Sequence, residues 1–389
     1  MPAPLLLDLS HTSHTRARTG IQRVARSLLA ALGDRARPIT HDPHARTWRG
    51  LEPWEHANLA AAGGAAKRGA SWPLHAKIRG RVRRLTGAAP LPDASGLVVP
   101  EVFSASVAAA LPSLLATVQG PRVAIFHDAI ALKFPELAPV KTVGRFPAYL
   151  IELLAFDGIA AISDDSNGSL ADYWAWLGVK NPPPIRTIPL GMAPPAPASI
   201  GENAPVATPP VILSVGSIEG RKNHRALLEA CESRWAAGDR FSLRLIGLAH
   251  VQTGAAALAR LRELQAAGRP LRYDGPVGDA DVARAYAECA FTVYPSLIEG
   301  FGLPVIESVA HGKPCVCSAR GALGESAAGG GCVALDRVDA PTLAETIARL
   351  LRTPAELTTL AAAARARRIR TWGDYALDLT TWMAELPRR

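Results

Sequence analysis

The sequence has few cysteines and no long hydrophobic run. Its five cysteines are odd in number and include no Cys-x-x-Cys pair, a usage typical of the reducing cytoplasm. No run of about eighteen apolar residues, the length that a membrane-spanning helix requires, is present. The stretch from Met1 to Leu9 also lacks the basic segment that begins a signal peptide. These absences predict a cytoplasmic protein.

Two motifs that would indicate other functions are missing. No Gly-x-Gly-x-x-Gly is followed about twenty residues later by an acidic residue, which disfavours a dinucleotide-dependent oxidoreductase. Basic motifs interleaved with aromatic residues are absent, which argues against nucleic-acid binding. Cys315 and Cys317 alternate with apolar residues, and this pattern favours strand core over metal ligands.

Acidic residues are scarce in the first 90 positions. They number 5 against 15 lysines and arginines, a net charge of +10, whereas the other 299 residues carry 28 basic and 29 acidic side chains. The basic residues are densest at 67–84, where His75 to Leu85 predicts a short basic amphipathic helix. The segment is either a solvated surface insert or a contact for an anionic membrane surface or a phosphate-bearing acceptor. The rest of 34–95 gives no clear pattern.

Strand and helix patterns alternate twice along a chain of 389 residues, which is too long for one core. Between the two series, residues 193–210 are rich in proline and alanine and predict a linker. The fold class predicted is α/β, with two doubly wound, Rossmann-like domains at 1–192 and 211–371 that face each other across a cleft. A helix at 372–389 is expected to pack back on the first domain.

One glycine-bearing stretch, from Tyr294 to Glu307, joins a strand to a helix. Gly300 and Gly302 let the backbone approach a ligand closely, and the free amides of a helix start attract an anion. Glu299 and Glu307 would accept hydrogen bonds from hydroxyl groups. A phosphate beside hydroxyl groups indicates a nucleotide sugar. The alternative is a solvated Glu299 and a Glu307 that pairs with the helix dipole.

Arg221 and Lys222 follow another strand and a turn that begins at Gly216. Two adjacent cations at such a turn form either a phosphate clamp or a solvated pair. His127 ends a further strand, and Gly20 lies at the start of the helix that follows the first strand. Ligands of doubly wound sheets bind at such carboxyl ends of strands.

Together these motifs resemble the retaining glycosyltransferases of family 4, also called group 1, which have the GT-B fold. The resemblance covers residues 96–371. It rests on Glu-Gly-Phe-Gly-Leu-Pro-Val-Ile-Glu at 299–307 with His-Gly-Lys-Pro at 311–314, on Val-Gly-Ser-Ile-Glu-Gly-Arg-Lys-Asn at 215–223, and on Phe-His-Asp at 126–128. Many relatives have a proline where this chain has Gly220.

The resemblance implies a division of roles within a catalytic set. Arg221 and Lys222 would hold the donor diphosphate, and Glu299 would bind the transferred sugar. His127 would face the reacting side of that sugar, and Glu307 would bind the ribose hydroxyls. The remaining donor-binding residues would act mainly through the backbone. They are Gly20 and Gly216 near the phosphates, Gly300, Phe301, Gly302 and Leu303 at the sugar and phosphates, and Val277 in the turn 274–278 that reads the base.

The function implied is retaining transfer of a sugar, mannose as a first guess, from a nucleoside-diphosphate sugar to a glycan or lipid-linked acceptor of a surface polysaccharide. The enzyme would work at the inner membrane face. No metal cofactor is expected, because two side-chain cations and a helix start can neutralise a leaving diphosphate. The alternative is a catalytically silent nucleotide-sugar-binding or scaffold protein of the same fold.

Overall fold

The computed structural model describes residues 3–17, 20–61, 69–193 and 208–387. The chain divides into two compact units. Unit 1 comprises Met1–Leu132, Val140–Gly191 and Arg370–Arg389, and unit 2 comprises Lys133–Pro139 and Met192–Ile369. In the part of the chain that is described, no helix is both long enough and apolar enough to cross a bilayer.

A seven-stranded sheet forms the centre of unit 1 within the described residues. Its strands are β1 (Leu5–Asp8), β2 (Ala36–Asp42), β3 (Thr47–Gly50), β4 (Gly96–Val99), β5 (Arg122–Phe126), β6 (Gly158–Ala161) and β7 (Ile185–Thr187). Their spatial order is β3-β2-β1-β4-β5-β6-β7. Only the pair of β2 and β3 is antiparallel among these. The parallel strands are covered on both faces, as the burial of Leu6, Leu7 and Val98 illustrates, so they appear in the sequence as unbroken apolar runs.

Helices connect these strands in the first half of the chain. They are α1 (Gly20–Leu32), α2 (Pro53–Ala60), α3 (Leu74–Thr86), α4 (Ala105–Thr117), α5 (Ile130–Lys133), α6 (Val140–Glu152) and α7 (Asp164–Trp176). Short 3-10 turns lie at Thr12–His14, Gly33–Arg35, Pro135–Leu137 and Leu153–Ala155. The hydroxyl of Ser163 accepts a hydrogen bond from the amide of Ser166 and caps α7.

Unit 2 contains a parallel sheet of six strands in its described part. They are β8 (Val211–Val215), β9 (Ser242–Ile246), β10 (Leu271–Tyr273), β11 (Phe291–Tyr294), β12 (Cys315–Ser318) and β13 (Cys332–Leu335). The order β10-β9-β8-β11-β12-β13 is the doubly wound order. A 3-10 turn at Gly220–Lys222 follows β8.

The helices of the second half are α8 (His224–Ala236), α9 (Ala255–Ala266), α10 (Asp279–Glu288), α11 (Leu303–Ala310), α12 (Gly321–Ala327), α13 (Ala340–Arg352), α14 (Pro354–Ala366) and α15 (Trp372–Glu385). The last of these, α15, belongs to unit 1. A Cβ atom at Gly158 of β6 would come within 2.8 Å of the Trp382 ring. Close packing of α15 on the sheet therefore leaves room there only for glycine.

The α/β prediction of two doubly wound domains is confirmed, but the prediction for residues 34–95 was incomplete. The basic amphipathic helix exists as α3, whereas the hairpin of β2 and β3 and helix α2 had no recognised pattern. Most of the predicted linker, 194–207, lies outside the described residues. Each sheet reverses its strand order once, between β1 and β4 in unit 1 and between β8 and β11 in unit 2.

Candidate functional site

The loops after β8 and β11 meet where the strand order of unit 2 reverses. These adjacent strands end at Val215 and Tyr294. The loop after β8 carries Arg221 and Lys222, and the loop after β11 carries Glu299. Carboxyl ends of strands at such a reversal form the ligand crevice of open α/β sheets. The topology therefore brings three of the sequence-predicted residues into contact.

Arg221 and Lys222 both bind the carboxylate of Glu299. Arg221 Nη1 lies 2.5 Å from Oε2, and Lys222 Nζ donates to Oε1. Burial would raise the pKa of Glu299, but the two cations outweigh it and lower that pKa to about 2. Burial also lowers the pKa of the Lys222 ammonium. Glu299 is thus held as a carboxylate between two cations.

A second carboxylate completes this group and makes its formal charge zero. Glu219 Oε1 lies 2.9 Å from Arg221 Nη2 and accepts a hydrogen bond of 2.8 Å from the Ser217 hydroxyl. The Arg221 carbonyl accepts from the Leu297 amide at 2.8 Å, which joins the two loops through the backbone. The contact between Arg221 and Glu299 could not be predicted from local sequence patterns, because the two residues are 78 positions apart.

The start of α8 differs from an ordinary cap. Asn223 occupies the N-cap position with a left-handed backbone, φ 53°, and its side chain makes no capping hydrogen bond. Instead its amide donates to the Val338 carbonyl at 2.8 Å. The Asn223 side chain therefore ties the loop after β8 to the segment before α13 and does not cap the helix.

Gly302 fixes the loop that leads into α11. Its backbone is left-handed, φ 93° and ψ 39°, a region that glycine enters at little cost. A Cβ there would lie 3.2 Å from both Leu323 Cδ2 and Ser326 Oγ. The Ser326 hydroxyl donates to the Phe301 carbonyl. Leu303 is the first residue of the helix, so the backbone of this loop and the helix N-terminus are held together.

Glu307 lies inside α11 and is 9% exposed. The Tyr286 hydroxyl lies 3.3 Å from its Oε2 and 2.8 Å from the Tyr294 hydroxyl. The Tyr286 ring stacks on His311, with centroids 4.5 Å apart. Tyr286 and the rings packed around it therefore orient the Glu307 carboxylate from within the core of unit 2.

The turn 274–278 follows β10 and ends where Gly278 precedes α10. The Gly275 carbonyl accepts from the Gly247 amide at 2.8 Å, and the Tyr273 hydroxyl donates to the Gly247 carbonyl at 2.8 Å. Val277 packs against the core between the sheet and α10. Gly216 in turn donates its amide to the Ile246 carbonyl at 2.8 Å. Both predicted donor-binding positions are thus fixed to the carboxyl ends of strands.

His127 and Gly20 belong to unit 1. His127 lies directly after β5, and its Nε2 is 2.7 Å from the Pro100 carbonyl, so that nitrogen carries the proton and donates. Burial lowers the pKa of His127, which favours the neutral imidazole. Gly20 begins α1 and is exposed, and among the described residues no atom outside its own helix backbone lies within 4 Å of where its Cβ would stand. Packing therefore does not explain this glycine.

Sequence reasoning missed three buried groups. Glu101 accepts the amides of His11 at 2.9 Å and Thr12 at 2.8 Å, and so fixes the loop after β1. Burial and the neighbouring Glu101 raise the pKa of Asp8 to about 7. In unit 2, burial and then Lys222 lower the pKa of His224 to about 4. Their signal was a titratable residue at the end of an apolar run, which Asp8 and Glu101 both show.

The prediction that Cys315 and Cys317 are strand core is confirmed, since both are fully buried. They and Cys332 place three Sγ atoms within 4.8 Å of one another, which is the group among the described residues that could hold a soft metal ion. Cys315 and Cys317 also pack with Leu323 of α12 in one hydrophobic cluster of the core.

Residues 209–353 match the family described as Glycosyl transferases group 1. This part of the chain, which lies in unit 2, belongs to that family. The matched range contains the whole sheet of unit 2 and the cluster of Arg221, Lys222 and Glu299.

The chain is similar to two proteins of Escherichia coli. It is 25% identical over 345 residues to the serotype-specific mannosyltransferase WbdA, with 80% of this chain and 38% of WbdA covered. It is 32% identical over 227 residues to O-antigen chain mannosyltransferase B, with 54% of this chain and 56% of that protein covered. The chain therefore spans about four tenths to just over half of these relatives.

Solved structures place the whole chain in the GT-B fold. Sucrose-phosphate synthase from Thermosynechococcus elongatus aligns with a TM-score of 0.66 at 19% identity and 98% coverage of both chains. Anabaena Alr3699/HepE, solved with UDP-glucose, aligns with a TM-score of 0.68 at 14% identity, over 99% of this chain and all of the other. At such identities the likeness establishes the fold of this chain and leaves its donor open.

Proposed function

We propose that this protein is a group 1 glycosyltransferase that transfers a sugar from a nucleoside-diphosphate sugar to a hydroxyl group of an acceptor, with retention of configuration. The observation that carries this proposal is the pairing of Arg221 and Lys222 with one carboxylate, Glu299, at the strand-order reversal of unit 2. An anion-binding pair of cations in that position is what a departing diphosphate requires.

Glu299 keeps the two cations in place before the donor binds. Its carboxylate has two oxygens, one for each cation, and it is 9% exposed. A bound diphosphate offers the same cations more oxygen acceptors and more negative charge. Arg221 and Lys222 then shift their strongest contacts to the diphosphate, and Glu299 is released to accept hydrogen bonds from the sugar hydroxyls.

The bond from C1 of the sugar to the diphosphate oxygen breaks with the electron pair leaving on that oxygen. Negative charge grows there, and Arg221 and Lys222 stabilise it more in the transition state than in the ground state. The acceptor hydroxyl forms the new bond to C1 from the same face, and its proton passes to the departing diphosphate. The configuration is therefore retained. No metal is expected in this scheme.

The other predicted residues position the donor. Glu307 is proposed to accept from the ribose hydroxyls, because Tyr286 already orients its carboxylate. Gly300, Phe301, Gly302 and Leu303 are proposed to direct backbone amides at the sugar and phosphates from the start of α11. Gly216 and Gly20 are proposed to allow close approach of the backbone to the phosphates, and Val277 is proposed to border the base.

His127 is proposed to bind the reacting sugar as a neutral acceptor through Nδ1, since Nε2 carries the proton and donates it to the Pro100 carbonyl. A neutral ring suits this role because it adds no positive charge beside a carbon that itself becomes positive.

Mannose is the proposed sugar, with GDP-mannose as the first donor to test, and a glycan or lipid-linked glycan of a surface polysaccharide is the proposed acceptor. The similarity to two mannosyltransferases, one of them of the O-antigen chain, supports this choice. HepE, whose structure was solved with UDP-glucose, makes UDP-glucose the second donor to test.

The test measures release of nucleoside diphosphate from GDP-mannose, UDP-glucose and dTDP-glucose, each with and without mannose-bearing acceptors. Acceptor-dependent release and an α-linked product from an α-linked donor are expected. Thermal shift identifies the base, because a ligand at about 100 times its Kd adds about 2.7 kcal/mol of stability. Binding without any turnover across the panel would contradict transfer and favour a silent nucleotide-sugar-binding protein.

A further inference from the structure

Helix α3 turns its apolar side chains away from the protein. Leu74, Ile78, Val82 and Leu85 are 73%, 52%, 52% and 88% exposed. At about 100° per residue these four positions fall within an arc of about 80° on one side of the helix. A surface helix normally packs such a stripe on the core. In α3 the stripe faces solvent.

The opposite side of α3 is held against unit 1 by its small residues. Ala76 and Gly80 are its buried residues. A Cβ at Gly80 would come within 2.7 Å of His44 Cβ and 2.9 Å of Asp42 Oδ1. Only glycine permits this contact, so the helix cannot rotate to bury its larger apolar residues without losing it.

Two of the arginines on α3 serve this attachment. Arg79 Nη1 lies 3.0 Å from Glu52 Oε2, and Arg83 Nη1 pairs with Glu52 Oε1. Arg83 also lies 4.0 Å from Asp42 Oδ2. The charges of both arginines are thus balanced by unit 1. They are not available to an external partner, although the sequence had placed them in the basic contact region.

The remaining cations of α3 border the exposed stripe. Lys77, Arg81 and Arg84 lie on one flank of it, within about 80° of Leu74 by helical geometry. Across the described ranges, which omit residues 62–68, none of these three has an ion pair with a carboxylate. An apolar stripe beside a row of cations is the pattern of a helix that lies in the surface of an anionic bilayer.

We propose that α3 docks this protein on an anionic lipid surface, with Leu74, Ile78, Val82 and Leu85 inserted among the acyl chains and Lys77, Arg81 and Arg84 at the phosphate groups. The helix has 13 residues, so it spans about 20 Å and lies along the surface. The charge of α3 favours a bilayer over a protein as the partner that covers the apolar stripe. A flank of three cations without a single acid on α3 suits a continuous anionic surface.

Membrane docking by α3 goes beyond the proposed sugar transfer and does not depend on it. It narrows the basic contact region expected from the sequence to Lys77, Arg81 and Arg84, and it adds the exposed apolar stripe of α3 to that contact. Lys67 and Arg68, which were part of that region, lie outside the described residues.

The test is sedimentation of the full chain with vesicles of phosphatidylcholine, with and without phosphatidylglycerol. Neutralising Lys77, Arg81 and Arg84 to Gln should weaken binding to anionic vesicles about 100-fold, at about fivefold for each cation. Leu74→Ser with Leu85→Ser should weaken it at least about tenfold. The matched control is Val251→Ser with Leu377→Ser, which are 87% and 58% exposed elsewhere and should bind like the wild type.

These side chains are exposed, apart from Lys77, which is half-buried, so the variants should fold and keep the donor turnover of the wild type on a soluble acceptor. Failure of the wild type to bind anionic vesicles, or equal binding to neutral ones, would overturn membrane docking. So would control variants that lose binding as far as the α3 variants do. A concentration-dependent oligomer that disappears in the Leu74 and Leu85 variant, without vesicle binding, would overturn it in favour of a protein partner. None of these results bears on sugar transfer.

Discussion

The strand-order reversals of the two units have the same topology and opposite electrostatics. In unit 2 the carboxylate of Glu299 lies between Arg221 and Lys222, and its pKa falls to about 2. In unit 1 burial and then Glu101 raise the pKa of Asp8 to about 7. One edge holds cations around a carboxylate that an anion can replace. The other holds two carboxyl groups that fix a loop through hydrogen bonds to its backbone.

This difference indicates what each edge can do. Cations that already share a carboxylate can change partners when a diphosphate arrives, at little cost in rearrangement. Two adjacent buried acids repel further negative charge, and they favour a site for neutral hydroxyl groups. Substitutions at the two edges should therefore differ in their effects on catalysis and on the pH dependence of stability.

Lys222→Ala should reduce kcat/KM for transfer by about 100- to 1,000-fold, the usual effect of removing one group that stabilises transition-state charge. Steady-state release of nucleoside diphosphate measures it. Arg225→Ala is the matched control, because Arg225 is an exposed cation three positions away and should leave the rate unchanged. Nearly normal activity of the Lys222→Ala variant would contradict a catalytic role for the cations at the unit 2 edge.

Asp8→Asn should flatten the dependence of unit 1 stability on pH. The folded pKa of Asp8, about 7, lies above its ordinary value of 3.8. Its contribution is therefore fully present below about pH 4 and is lost as pH rises through about 7, with an upper limit of about 4 kcal/mol.

Urea unfolding at about pH 5 and about pH 8, with hydrogen exchange of β1 and β4 as the readout for unit 1, measures the contribution of Asp8 to stability. The wild type should lose stability between the two values, and the Asn variant should lose much less. Asp34→Asn, at an exposed position, should behave like the wild type. Equal slopes for wild type and Asp8→Asn would contradict a neutral Asp8.

Glu299→Gln should destabilise unit 2 by about 3 kcal/mol at neutral pH, because two largely buried cations lose their counter-charge. The folded pKa of Glu299 lies below its ordinary value of 4.5. Its contribution is therefore present above that value and is lost as pH falls from about 5 to about 2.

Acid titration of hydrogen exchange in β8 and β11 checks the Glu299 contribution. The wild type should lose protection over that interval, while the Gln variant should start lower and change less. Glu263→Gln removes a pair with Arg260 in which the glutamate is 64% exposed and should cost under about 1 kcal/mol. A Glu299 variant as stable as this control would show that the three-residue contact is weak.

Gly302→Ala should cost about 1–2 kcal/mol, since alanine would have to adopt φ near 93° and meet Ser326 at 3.2 Å. Donor affinity should fall with it as the start of α11 moves. Calorimetric titration with a nucleoside diphosphate measures that loss. Gly168→Ala is the control, because no atom lies within 4 Å of its Cβ position. Equal affinities in both variants would argue against a role of this loop in binding.

The sequence predicted the elements that are buried on both faces most closely. Strands β4 and β8 coincide with the apolar runs Gly96–Val99 and Val211–Val215, because parallel strands covered on both sides admit few polar residues. The β2 strand was missed because it contains His41 and Asp42, whose burial depends on partners outside the strand, such as Arg49 of β3, with its Nε 3.0 Å from Asp42 Oδ2.

The candidate site was predicted by residue but not by contact. Glycine at 302, the cation pair and both glutamates follow from local patterns. The binding of Glu299 by Arg221 and Lys222 depends on which strands are neighbours, and strand order is not written in the local sequence. The outward orientation of the apolar face of α3 was not predicted, for a related reason. Its apolar period predicted an amphipathic helix, but only the contact of Gly80 with His44 determines which face is buried.

The most direct test of leaving-group stabilisation compares single-turnover transfer by the wild type and by Lys222→Ala at saturating donor. Because the cations are proposed to act chiefly on the transition state, the rate at saturation should fall about 100-fold or more, while the donor Kd should rise much less. An unchanged rate at saturation, with the whole effect in the Kd, would contradict leaving-group stabilisation and reduce Arg221 and Lys222 to binding residues.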